Sequence, residues 1–309
     1  MQIDTKPEVR LMPELFSNLI KCECHFGWDN GTTIVFKQNH FNHLVLSGGE
    51  NQNFIIPNLG EDAKKVSILW LSALGMVKGL DQFYNNVNIL DITTVPENSI
   101  DINKFINLQS LSLEWDKKIE KKINSIKTLD NLFIRYYKYK DISKLQCIKQ
   151  INKLSFSQGS VSNIEGVNLS LKSLDLSYLR NYSDVDTINK LTKLTWLSCH
   201  NSKKAIGIIN LGSFKNLVFV SFVDTNCIFD LKNINKLKNL EKIWSNGEHI
   251  NLKWKELILL PKLKLVGLFD NGITDEEIKA IAKKANKKIE RLFRAGKKKK
   301  PHIQITFED

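Results

Sequence analysis

A chain of 309 residues with 42% hydrophobic and 25% charged residues can bury a large core and has the balance of a folded protein, which excludes disorder and low-complexity fibres. Its five cysteines are odd in number and scattered (Cys22, Cys24, Cys147, Cys199, Cys227), and "MQIDTKPEVR" lacks an apolar leader; reduced thiols in a cytoplasmic, bacterial-type protein are expected, with no disulfide framework. The net charge of +12 is local: residues 279–300 hold eleven Lys and Arg against Glu290, which leaves +2 to the rest of the chain.

In chain order, residues 1–40 are read as an N-terminal cap, with "TTIVF" (32–36) as a strand that covers the N-terminal end of the core. Cys22, Cys24, His25, His40 and His43 are candidate soft ligands, but no CxxC pair or HExxH helix accompanies them. Thiols two apart on a strand share a face as core residues do, so no metal is expected. "LSGGE" (46–50) has the letters of an ABC-type ATPase signature loop, yet the chain has no GxxxxGK[ST] phosphate loop. Gly48 and Gly49 are read as a turn. The longest apolar stretch, 66–77, is too short to span a bilayer, and no transmembrane segment is expected.

From Phe41 onward the pattern LxxLxL recurs eleven times, starting at Phe41, Val66, Val87, Leu108, Leu129, Ile151, Leu171, Leu194, Leu217, Leu240 and Leu263, at intervals of 20–25 residues. Apolar residues also recur six and three positions before these starts, as in Ile123 and Ile126 or Ile234 and Leu237. The first pattern suits a short strand and the second a 3₁₀ or helical return. No such unit can bury its apolar side alone, so the units must stack. Residues 41–273 resemble the leucine-rich repeat family, nearest to its short bacterial type. The resemblance implies an α/β solenoid (horseshoe) with a parallel concave sheet and terminal caps. One departure concerns the family's buried asparagine ladder, which has Asn271 here but Tyr137, Gly159 and Thr225 at equivalent positions; the turns must be bonded differently.

Residues 274–309 are read as a C-terminal cap. Thr274 and Glu277 have capping-box spacing; Ile278, Ile281, Ala285, Ile289 and Leu292 predict one helical stripe ended by Gly296, and "HIQITF" (302–307) predicts a last strand.

In xLxLx the leucines enter the core and the alternating residues line the concave face. Those positions, with the residue after each strand, collect Trp115, Phe133, Tyr136, Asp175, Tyr178, Trp196, Phe219, Asp224, Trp244 and Phe269. Rigidly held exposed aromatics are what binding surfaces use, so these ten are candidate protein-contact residues; the bland alternative is that loops or caps cover them. The favoured function is a non-enzymatic protein-binding module. An inhibitor or immunity protein that neutralises a toxin with a basic surface is its sharper form, because acidic residues accompany the rings. The alternative is a nucleic-acid or anionic-membrane binder acting through residues 279–300. Nucleic acid is not expected on the concave face. His200, Asp224, Ser198 and Ser221 are expected to lie close together, but a serine-rich sheet with one histidine reads as polar surface. No catalytic residue and no cofactor is expected.

Overall fold

Each LxxLxL block contains a strand that begins two residues after its start, which is how a period near 22 becomes a stack. The structure, a computed structural model, describes residues 21–25, 36, 41–93, 100–295 and 302–308, divided into two compact units, 1–108 and 109–309. The expected strand at 32–36 and the helix stop at Gly296 lie outside the described residues, apart from Phe36, which is buried.

In the first unit, β1 (Lys21–His25), β2 (His43–Ile55), β3 (Ile68–Lys78) and β4 (Ile89–Thr93) pair in parallel. No turn occurs at Gly48–Gly49: β2 runs straight through "LSGGE", and its register against β3 shifts between Ser47 and Gln52 and again before Phe54. Glycine lets a strand absorb such irregularities without ending.

The second unit contains β5 (Ser110–Glu114), α1 (Glu120–Ser125), β6 (Asn131–Arg135), β7 (Lys153–Ser157), β8 (Ser173–Ser177), α2 (Val185–Lys190), β9 (Trp196–His200), β10 (Ile206–Asn210), β11 (Phe219–Val223) and β12 (Asn226–Asp230). It continues with β13 (Lys242–Ser245), β14 (His249–Ile250), α3 (Trp254–Ile258), β15 (Leu265–Phe269), α4 (Asp275–Lys284), β16 (Ile289–Ala295) and β17 (His302–Phe307). Strands β5 to β9, then β11, β13 and β15, pair in parallel with equivalent residues opposite one another, as in Asp175–Ser198 and Ser198–Ser221. Inward residues such as Leu197, Cys199, Val220, Phe222 and Ile243 are fully buried, and so are the return-segment pairs Ile188 and Leu191, Leu211 and Phe214, and Ile234 and Leu237. Burying each such side chain is worth about 1.5–3 kcal/mol, and each is buried only because a neighbouring repeat supplies the other wall. The fold is an α/β leucine-rich-repeat solenoid.

Two departures refine it. Some returns are strands rather than turns: β10, β12 and β14 make a second parallel sheet of three, as the β-branched run Ile206, Ile208 and Ile209 favours. The other concerns the turns. Tyr136, Gln158, Tyr178 and Asn201, each directly after a strand, have positive φ (52–59°). Their amides donate to Ser157 O (2.9 Å), Ser177 O (3.0 Å), His200 O (2.8 Å) and Val223 O (2.8 Å) in the next repeat. Backbone carbonyls of the next repeat thus satisfy these turn donors without an asparagine side chain.

The C-terminal stripe does not form one helix. Helix α4 opens with the expected Thr274–Glu277 capping box and stops at Lys284, because Asn286 adopts φ 53°. Its amide donates to Lys283 O and that of Lys287 to Ala282 O, a Schellman closure with Asn at the left-handed position. Ile289 and Leu292 therefore fall on β16, which pairs antiparallel with β17, itself antiparallel to β15.

Candidate functional site

Three rows of side chains cross the free face of the second unit, set by strand register. The first row passes from Lys153 through Ser173, Trp196, Phe219, Lys242 and Leu265 to Thr306 and Arg291. The second passes from Phe133 through Ser155, Asp175, Ser198, Ser221, Trp244 and Gly267 to Gln304 and Phe293. The third includes Arg135, Ser157, Ser177, His200 and Val223, and ends with Phe269, His302 and Ala295.

Rings dominate the C-terminal half. Trp196 and Phe219 stack with centroids 3.8 Å apart and planes at 14°, and both remain partly exposed. Trp244 lies flat over Gly267, where a Cβ would overlap the indole; the absence of a side chain there is what lets the ring lie down. His302 packs 5.0 Å from Trp244 and 6.0 Å from Phe269. Burial lowers its pKa, opposed by hydrogen bonds to the Ser245 and Gly267 backbone, so its neutral form is favoured.

The central strands are hydroxyl-lined. Asp175 accepts from Ser155 Oγ (2.9 Å), Ser177 Oγ (3.2 Å) and Ser198 Oγ, so its carboxylate is well solvated by the sheet. His200 Nε2 meets Ser221 Oγ at 2.9 Å. Asp224 exchanges two 2.8 Å hydrogen bonds with Asn246 instead, so the histidine and serine come together as expected while Asp224 turns to the end of the strand.

Of the ten residues singled out by sequence, Phe133, Asp175, Trp196, Phe219, Trp244 and Phe269 are partly exposed on the rows, and Tyr136, Tyr178 and Asp224 are exposed just beyond the strands. Trp115 departs from the expectation: it is only 5% exposed, with its ring 4.5 Å from that of Tyr137 and 5.9 Å from that of Tyr139. Unlike the post-strand residues 136, 158, 178, 201 and 224, Trp115 lacks a positive φ, and its side chain turns inward. It shares a buried aromatic cluster with Tyr137, whose phenol burial pushes well above its ordinary pKa.

Sequence reasoning missed Arg291 and Phe293, which join the free face because 289–295 is a strand, and Gln304 and His302, which join it because β17 pairs with β15. Period two does not sort residues 289–294 into an apolar and a polar set, and the bulge between Ile289 and Arg291 breaks the alternation, so the sequence carried no strand signal there. It also missed Ile206, Ile208 and Ile250, which are exposed on the second sheet. In the first unit Val45, Ile68, Ile89 and Asp91 at corresponding positions are buried, whereas Trp70, Ser72 and Thr93 stay partly exposed.

No protein-family description matches the chain, and no curated protein does. Among solved structures it is similar to an internalin (InlF) from Listeria monocytogenes, with a TM-score of 0.42 and 15% identity over 71% of this chain and 72% of that one. It is also similar to the functional domain of InlJ from Listeria monocytogenes, described as including a cysteine ladder, with a TM-score of 0.42 and 13% identity over 92% of this chain but 64% of that one. Cys147, Cys199 and Cys227 are free and buried.

Proposed function

We propose that this chain is a non-enzymatic module that binds a partner protein on the free face of its second unit. The observation that carries this reading is the pair of preset aromatic platforms, Trp196 stacked on Phe219 and Trp244 laid over Gly267. Rings already fixed by packing lose little entropy on docking, and aromatics supply most hot-spot energy at interfaces. Strained tyrosines add support. Tyr136 and Tyr178 hold positive φ while 46% and 54% exposed, a conformation that costs a bulky residue about 1 kcal/mol and that asparagine would hold at lower cost. Inhibition of a protein toxin is the finer form of this reading, since a rigid face that covers an active site needs no chemistry of its own.

Affinity capture from a native lysate tests the site. Wild type should retain a protein that Trp196→Ala with Trp244→Ala releases, with a loss of about 2–4 kcal/mol for a hot-spot pair. Equal retention by both proteins would remove the free face from consideration.

A further inference from the structure

We infer that the segment seated on the C-terminal end of this face is an extended peptide that is both apolar and acidic; the inference rests on the protein-binding reading above. The charges along the rows are unequal. In the central strands Asp175 is already bonded to three serine hydroxyls. From β11 to β16 the rows carry Lys242 and Arg291 and no carboxylate. The acids nearby are engaged or set aside: Asp270 is ion-paired with Arg294, Asp224 bonds Asn246, and Glu290 falls in the bulge between Ile289 and Arg291, outside the rows.

Lys242 and Arg291 stand in the same row, separated by β15 and β17. Three strand spacings of ~4.8 Å place them about 14 Å apart. An extended peptide crossing the strands advances ~3.3 Å per residue, so acidic side chains about four positions apart reach both cations. Beside them, in the adjoining row, lie Trp244 over Gly267 and the exposed Phe293 (46%), which would take the apolar residues. Arg291 also sits over the Phe293 ring at 5.5 Å, so its charge is held at the face. The charge complement is therefore the reverse of the basic partner surface expected from sequence. A single nucleic-acid strand would also meet rings here, but it needs cations that track each phosphate, and the third row supplies Val223, Phe269, His302 and Ala295 instead.

A random-peptide phage library panned against the full chain tests this, with Trp196→Ala/Trp244→Ala and Lys242→Glu/Arg291→Glu as comparison proteins, each checked for an unchanged circular dichroism spectrum. The expected result is enrichment of apolar peptides with Asp or Glu about four positions apart. A synthetic peptide of the enriched sequence should lose at least about tenfold in affinity to the charge-reversed variant, with weaker binding to wild type as salt rises. Enriched peptides that are neutral or basic but still depend on the tryptophans overturn the acidic assignment and leave the docking face standing. Absence of tryptophan-dependent enrichment overturns both, and tryptophan-dependent binding of an oligo-dT probe in its place identifies the nucleic-acid alternative.

Discussion

At the scale of single residues, Gly267 carries a specific demand. Its missing Cβ is the floor on which Trp244 rests, so Gly267→Ala should force the indole off the sheet. Overpacking of this kind costs about 1–3 kcal/mol, and urea unfolding with a shift in tryptophan emission would register both effects. The post-strand tyrosines make the opposite prediction. Because Tyr136 and Tyr178 occupy left-handed backbone, Tyr136→Asn with Tyr178→Asn should raise stability by about 1 kcal/mol in total while weakening partner binding. A gain in Tm without loss of affinity would show the rings to be decoration. Side-chain direction within a strand was legible from period two, since position alone decides it; the direction of Trp115 was not, because it depends on the φ of one turn residue that no spacing reports.

At the scale of elements, the terminal hairpin shows where sequence reasoning stopped. The stripe from Ile278 to Leu292 is consistent with helix period and reads as one helix, yet Asn286 closes the helix with two backbone bonds and the rest becomes strand. Only the helix period fits that run, since Ile289 and Leu292 are three apart, and the local cap with the bulge at Glu290 overrode it. Arg294 then ties the pieces: it ion-pairs with Asp270 and with Asp275 (2.7 Å) and donates to Ile273 O (2.6 Å). Asp270 is nearly buried, with its side chain 10% exposed, so Arg294→Ala should cost about 2–4 kcal/mol, below the full cost for a buried pair because the arginine is partly solvated; thermal unfolding measures it. Lys287 gives a pH signature. Its ammonium packs over Phe307 and donates to Leu263 O, and burial lowers its pKa from 10.5 to about 8. Between those values the unfolded chain holds the proton more firmly, so folding is disfavoured while this lysine is charged. Wild type should therefore gain stability relative to Lys287→Met as pH rises from 8 to 10.5, and a constant difference between the two melting temperatures across that window would refute it.

At the scale of the whole molecule, stability is a sum of repeats and of the surfaces between them. Leu197 is fully buried on β9, between β8 and β11, and Leu197→Ala should cost about 2–5 kcal/mol by equilibrium urea unfolding. That stack was legible from the eleven LxxLxL blocks because mutual burial leaves such a sequence few other folds. The second sheet was less so, since its strands sit in returns where neighbouring repeats use helical turns. The edge strand β16 has a colloidal consequence. A parallel stack invites unlimited growth, as any exposed strand is a template for another of the same sense. By reversing direction twice, β17 and β16 end the sheet on a strand that again runs in the sense of the repeats, so what sets this edge apart is its charge, carried by the exposed Arg291 and Glu290. Copies of this chain that meet there find a charged edge in place of the neutral one needed to polymerise into fibres.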